Sequence, residues 1–353
     1  MTIVDLGNRK VLKRFALGAP GSLSPAGDGR HVLAGISATG RVKVLDGGSW
    51  AVPHGDHAHH YVRAPRVRAT VVADRPAHIV GHGSRVAIFN DGTGVAAVLE
   101  HSRLGRGARG AVRIRTGTPH HGVAVPMGDR YIVSLQANAA DDLPGTLAIA
   151  TRTGRLTGTR IPCAAMHGEA DLGATRAAFA CADGYVVIDT SGPRVRTTRV
   201  APAPGIAPEA RSFTLSTAEG LPYAIGDLDA QTLVRVDPRT RTSATIPVPG
   251  ARGAFALDAD SRSVIVVTTD GRVHQIDPLT GAVRGSVQAV GAFSLSGGFS
   301  VPRPRIAIGE QRRVYVSDPA NGRVVELATN PLRVTRTFAV GGAPVTMAVL
   351  GTE

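Results

Sequence analysis

Aromatic residues are scarce in this chain of 353 residues, at 4% with a single Trp, and its positive charge is carried almost entirely by arginine. Few aromatics leave little from which to build a base-stacking platform, so nucleic acid is not expected as a partner. The densest basic stretch, Arg103 to Arg115, has no aromatic residue interleaved with it. The net charge of +13 therefore reads as a solvated arginine surface. Long apolar runs are missing too: none approaches the roughly 20 residues a helix needs to cross a bilayer, so no membrane span is expected. No export signal is expected within this chain, since Met1-Thr2-Ile3-Val4-Asp5 reads directly as a strand. No nucleophile elbow, phosphate loop or HExxH helix occurs, and the chain is not expected to be an enzyme.

What the sequence does have is turn residues, 43 Gly and 23 Pro, set at a steady period. Asp237-Pro238, Asp277-Pro278 and Asp318-Pro319 stand 40 and 41 residues apart, each after one alternating strand and before another. Equivalent strand ends fall at Asp5, Asp46, Glu100, Thr151 and Asp189, which makes eight units. A second series of small and apolar segments, near Pro20, His78, His121, His167, Phe213, Phe255, Phe293 and Val345, marks the first strand of each unit. A period of 40 to 45 residues with four strands per unit is the pattern of a β-propeller. We therefore expect an all-β, single-domain propeller over residues 1–353, with four antiparallel strands per blade. Eight blades are favoured and seven are the alternative. The segment Ala343 to Leu350 supplies a first strand, and Thr2 to Val4 with Arg9 to Lys13 supplies a third and fourth, so the ring is expected to close by N- and C-terminal strands sharing one blade. The second strand of that blade is missing, which predicts a natural precursor that extends upstream with an export signal.

Two histidine groups stand out against this repeat. The segment 53–61, Pro53-His54-Gly55-Asp56-His57-Ala58-His59-His60-Tyr61, is an insertion between the third and fourth strands of the first blade. In an extended chain His57 and His59 point the same way, and Asp56 is placed to complete or orient the set, so His54, Asp56, His57 and His59 are candidate metal ligands. The second group appears only once blades are counted. Three successive first strands carry His at nearly the same place, at His78, His121 and His167, where later blades carry Phe213, Phe255 and Phe293. A lone histidine there is more often a hydrogen-bonded structural residue. Three in register, lining the central channel, predict a zinc site with an open position, with His120 and Glu169 as further ligands or supports and His82 as a substitute for His78. Cys163 precedes a first strand and Cys181 ends the second strand of the same blade, at one edge. A disulfide is favoured there over two buried thiols, which implies an oxidising, extracytoplasmic location.

The stretch from Pro53 to His59 after Trp50, then Phe89-Asn90-Asp91-Gly92-Thr93-Gly94, Pro119-His120-His121-Gly122-Val123-Ala124-Val125-Pro126, and Cys163 to Glu169 with Cys181-Ala182-Asp183-Gly184, together resemble the AztD-type zinc metallochaperones. These are secreted β-propellers associated with zinc ABC transporters. The resemblance runs over essentially the whole chain. It implies a periplasmic or cell-surface monomer that acquires Zn2+ and hands it directly to the transporter's solute-binding protein, with His54, Asp56, His57, His59, His78, His121 and His167 at the zinc-binding positions. Two other readings remain beside it: a propeller that binds a protein or cell-wall ligand with incidental histidines, and a metal-dependent, lactonase-like hydrolase.

Overall fold

The computed structural model describes residues 1–138, 140–207, 210–298 and 301–351. Among these, seven four-stranded antiparallel sheets form in chain order, each a meander in which successive strands pair, the first interrupted by a hairpin between its third and fourth strands. Their inner strands are Ser22–Pro25, Pro76–His82, Ala124–Met127, Glu169–Asp171, Leu215–Ser216, Arg252–Asp258 and Ile306–Ile308. We number the blades 1 to 7 in that order. Second and third strands are almost wholly apolar and buried, as in His31–Ile36 of blade 1 and Ser263–Thr268 of blade 6, because both of their faces are covered by neighbouring blades. Outer strands such as Val283–Gln288 alternate with solvent. Six apolar clusters fill the spaces between successive blades, for example Val125, Ile132, Phe179 and Val186 between blades 3 and 4.

The count is seven blades and not the favoured eight. The place of the eighth is taken by a two-stranded hairpin, Thr2–Val4 with Val11–Arg14, and by the segment after Val340, which forms no strand. Val4, Leu6, Met347 and Val349 pack against Tyr315, Phe338 and Val340 of blade 7. On the other side, Thr346 Oγ1 accepts the Leu23 amide at 3.1 Å, and the Gly351 amide donates to Gly29 at 2.6 Å, both in blade 1. Both termini thus meet at the seam, as expected, but they wedge between two blades and do not share a complete one.

The insertion at 53–61 is also more ordered than a loop. Ser49–His54 and His57–Val62 form their own two-stranded sheet, with Trp50 opposite Tyr61, Val52 opposite His59 and His54 opposite His57. Gly55 opens the two-residue turn at φ +62°, the positive value that the first central position of a type II′ hairpin requires.

Candidate metal centre

His78 lies near the start of blade 2's inner strand, while His121 and His167 immediately precede the inner strands of blades 3 and 4. The three rings converge at one mouth of the channel, with centroids 4.9 to 5.6 Å apart. One nitrogen of each lies within 4.8 Å of the others. The remaining nitrogens explain how these rings are aimed. His78 Nδ1 pairs with Glu169 Oε1 at 2.9 Å, His121 Nδ1 with Asp91 Oδ2 at 2.7 Å, and His167 Nδ1 donates to the Phe213 carbonyl at 2.7 Å. With each Nδ1–H donated outward, the three Nε2 lone pairs face inward, the arrangement in which an acceptor fixes the tautomer of a metal-ligating imidazole. His78 Nε2 and His121 Nε2 stand 3.2 Å apart. Tetrahedral zinc, with bonds of about 2.0–2.1 Å, sets its ligands roughly 3.3–3.4 Å from one another, so this pair suits such an ion. The carboxylates of Asp91 and Glu169 bring negative charge to balance a divalent cation. The donor set fits zinc.

Electrostatics separate the three imidazoles. Burial disfavours the charged form of His78, but the adjacent Glu169 carboxylate outweighs it and holds the pKa above the usual histidine value. Burial lowers that of His167, and the neighbouring His78 and His121 lower it further. Burial works to raise Glu169, yet the His78 contact leaves its carboxyl below the usual range.

His120 is turned away from this cluster. Its Nδ1 donates to the Thr118 carbonyl at 2.8 Å, its Nε2 meets Ser134 Oγ at 2.9 Å, and its ring packs on Phe89 at 5.0 Å, so neither nitrogen is offered to the channel. His82, four residues beyond His78 on the same strand, reaches the opposite mouth, where Nε2 donates to Gly173 O at 3.2 Å. His31, His101 and His274 are held by Asp28, the Ala26 carbonyl, and Thr268 with Ser286 respectively. Asp91 is the site residue that sequence reasoning missed. Its one signal was position, on the turn after blade 2's second strand, which ends at the same mouth as the inner strands begin.

The hairpin forms a second group. Strand alternation puts Trp50, His54, His57, His59 and Tyr61 on one of its faces and His60 on the other. The rings of His54, His57 and His59 lie 5.0 to 5.3 Å apart, exposed to an incoming ion, with ligand atoms within 4.8 Å of one another. Asp56 Oδ1 holds His57 Nδ1 at 3.0 Å and so orients that ring. Cys163 and Cys181 are joined in a disulfide with Cα atoms 4.9 Å apart. Together with the His167 amide bond to Ala180 O and the Ala180 amide bond to Gly168 O, it fixes the segment that carries His167.

Fold and site together define a β-propeller bearing two metal-competent histidine trios. No family model matches the chain. Its sequence is 28% identical to the zinc chaperone AztD of Citrobacter koseri over 355 aligned residues, covering 99% of this chain and 84% of that protein. The crystal structure of Citrobacter koseri AztD matches with a TM-score of 0.90 at 28% identity, covering 98% of this chain and 93% of that one. The apo structure of the same protein matches at 0.87 and 26% identity with equal coverage. The resemblance to AztD-type proteins therefore extends across the chain in both sequence and fold. That relative is named as a zinc chaperone, in line with the expectation that this chain is not an enzyme.

Proposed function

We propose that this chain is an extracytoplasmic zinc metallochaperone, which holds Zn2+ on His78, His121 and His167 and passes it directly to the solute-binding protein of a zinc ABC transporter. The observation that carries the reading is the inward convergence of three Nε2 atoms, each with its Nδ1 held by an acceptor. Histidines incidental to a protein- or cell-wall-binding surface would not need that arrangement. The name of the relative supports zinc as cargo, and the disulfide supports an oxidising compartment. Among the described residues no helix is long and apolar enough to cross a membrane.

Three imidazoles leave one zinc position open, which an incoming ligand from the partner can occupy before any histidine leaves. His167 is the ligand placed to leave first. It is supported by a backbone carbonyl alone, whereas His78 and His121 are each held by a carboxylate. Metal then moves by ligand exchange without release into water.

The test is metal analysis of the purified chain, followed by transfer to an apo solute-binding protein in the presence of a chelator that traps released zinc. Tight zinc at His78, His121 and His167, lost in the triple Ala variant and transferred despite the trap, is the expected result. Retention of tight binding in that variant overturns the channel assignment. Capture of all the metal by the trap overturns direct transfer.

A further inference from the structure

We infer that the hairpin trio and the channel trio are separate zinc sites serving opposite faces of the propeller, and that metal does not pass from one to the other within a molecule. The inference rests on the zinc chemistry proposed above for the channel and extends it to the hairpin. In a four-stranded meander the first and third strands run the same way. His78, His121 and His167 sit where inner strands begin, and the hairpin leaves Asp46, where blade 1's third strand ends. With strands of six residues, the two faces lie about 20 Å apart. Contacts mark each face independently. Ser37 Oγ, just after the second strand of blade 1, donates to Pro76 O beside His78. Arg30, on the turn between the first and second strands, bonds Asp46 at the base of the hairpin.

That base is held by several contacts. The Asp46 carboxylate is fully buried and takes Arg30 Nε and Nη2 at 3.0 and 2.8 Å, Arg63 Nη2 at 3.2 Å and the Gly48 amide at 3.1 Å. The two guanidinium groups lie 3.8 and 4.7 Å from the ring centre of Trp50, and Tyr61 stacks on the same ring at 5.3 Å with planes 12° apart. Both strands of the hairpin are thereby tied to the face opposite the channel trio. A cavity of about 640 Å³ opens on that face, lined by His82, Asp171 and Glu219 among others. Between His82 and His78, however, the same side of the strand offers only Val80, which packs into the apolar core around Met166 and Phe179. An ion moving along that strand meets no ligand between its ends.

Three forms of the whole chain in the apo state test this: wild type, the His54→Ala, His57→Ala, His59→Ala variant, and the His78→Ala, His121→Ala, His167→Ala variant. Each is mixed rapidly with Zn2+ whose depletion is followed by a fluorescent zinc indicator. Trp50, the single tryptophan, reports the hairpin through its own emission. The expected result is a channel that fills at the wild-type rate within two-fold when the hairpin histidines are gone, and a Trp50 response whose zinc midpoint is unchanged within two-fold when the channel histidines are gone. Slower channel filling in the hairpin variant, with its channel stoichiometry intact, overturns the inference, as does a shifted or absent Trp50 response in the channel variant. Failure of the proposed function shows differently, as wild-type protein that holds no zinc on the channel trio.

Discussion

The Nε2 atoms of His78 and His121 face each other at 3.2 Å with both Nδ1 atoms donated to carboxylates, a contact that needs a cation between two lone pairs. The Glu169 carboxylate holds the pKa of His78 above the usual histidine value, which favours a proton at this place when zinc is absent. Zinc must displace it. Because the free site binds this proton more tightly than an ordinary histidine does, apparent zinc affinity rises with pH until the raised His78 value is passed and then levels. Below it, affinity falls about tenfold per pH unit for each proton displaced. Isothermal titration across pH 5.5 to 8.5 checks this, and a flat profile would refute it. Asp91→Asn and Glu169→Gln keep the size of each partner but weaken its hold on the ring it supports, so each is expected to lower zinc affinity by about 10- to 100-fold without unfolding the chain. His167→Ala, which removes the ligand lacking a carboxylate partner, is expected to cost less affinity than His78→Ala in the same titration. At this scale the converging histidines were legible in the sequence because they repeat once per blade. Asp91 was not, since Asp183 and Asp270 stand on the equivalent turns of blades 4 and 6 and nothing in the sequence sets Asp91 apart from them. His120 and His121 are neighbours of identical type, and only the backbone direction entering blade 3 decides which ring reaches the channel.

Elements carry the same logic one level up. The Cys163–Cys181 bridge closes a loop of sequence separation 18 around the segment bearing His167. A loop of that size contributes about 3 kcal/mol through the restricted unfolded chain. The double variant Cys163→Ser, Cys181→Ser is therefore expected to unfold at lower denaturant and, because His167 loses a rigid mount, to hold zinc less tightly even where it remains folded; chemical denaturation and zinc titration read the two effects separately. The strand pattern was legible for the same reason that it folds: Asp237 and Asp277 cap third strands by accepting amides of the residues that follow, at 2.7 to 2.9 Å. Asp318 has the same signature yet ends the second strand of blade 7, whose third strand runs Arg323–Thr329. The spacing of 41 residues thus joins unlike positions. Phe293 lies in the connection between blades 6 and 7 and not on an inner strand, and Val345 lies on no strand. Turn chemistry identifies strand ends, but it does not say which strand of a blade has ended.

For the whole molecule the decisive feature is the seam, where a ring of seven blades is held shut by residues from both ends of the chain. Thr2 Oγ1 and Arg14 Nη1 donate to Val340 O at 3.2 and 2.5 Å, and Arg336 Nη1 donates to Leu6 O at 2.6 Å. Beneath these bonds lie Tyr315, Phe338 and Val340, with Val4, Leu6, Met347 and Val349 against them. The count of eight units arose here, because a two-stranded hairpin and an extended segment have the alternation of blade strands without the partners that would complete a sheet. A propeller with an open seam would expose one face of blade 7 and one of blade 1, so packing at this point stabilises every blade through its neighbours. Phe338 is 3% exposed, and Phe338→Ala is expected to cost about 3–5 kcal/mol as a buried aromatic truncated to a cavity. The channel trio is carried by blades 2, 3 and 4, which do not touch the seam cluster. The variant should therefore melt at a distinctly lower temperature while its folded form keeps wild-type zinc affinity at 25 °C. Calorimetry together with zinc titration decides the matter: a parallel loss of affinity would mean that closure of the ring sets the positions of His78, His121 and His167, whereas a loss of stability alone places the zinc site within three blades.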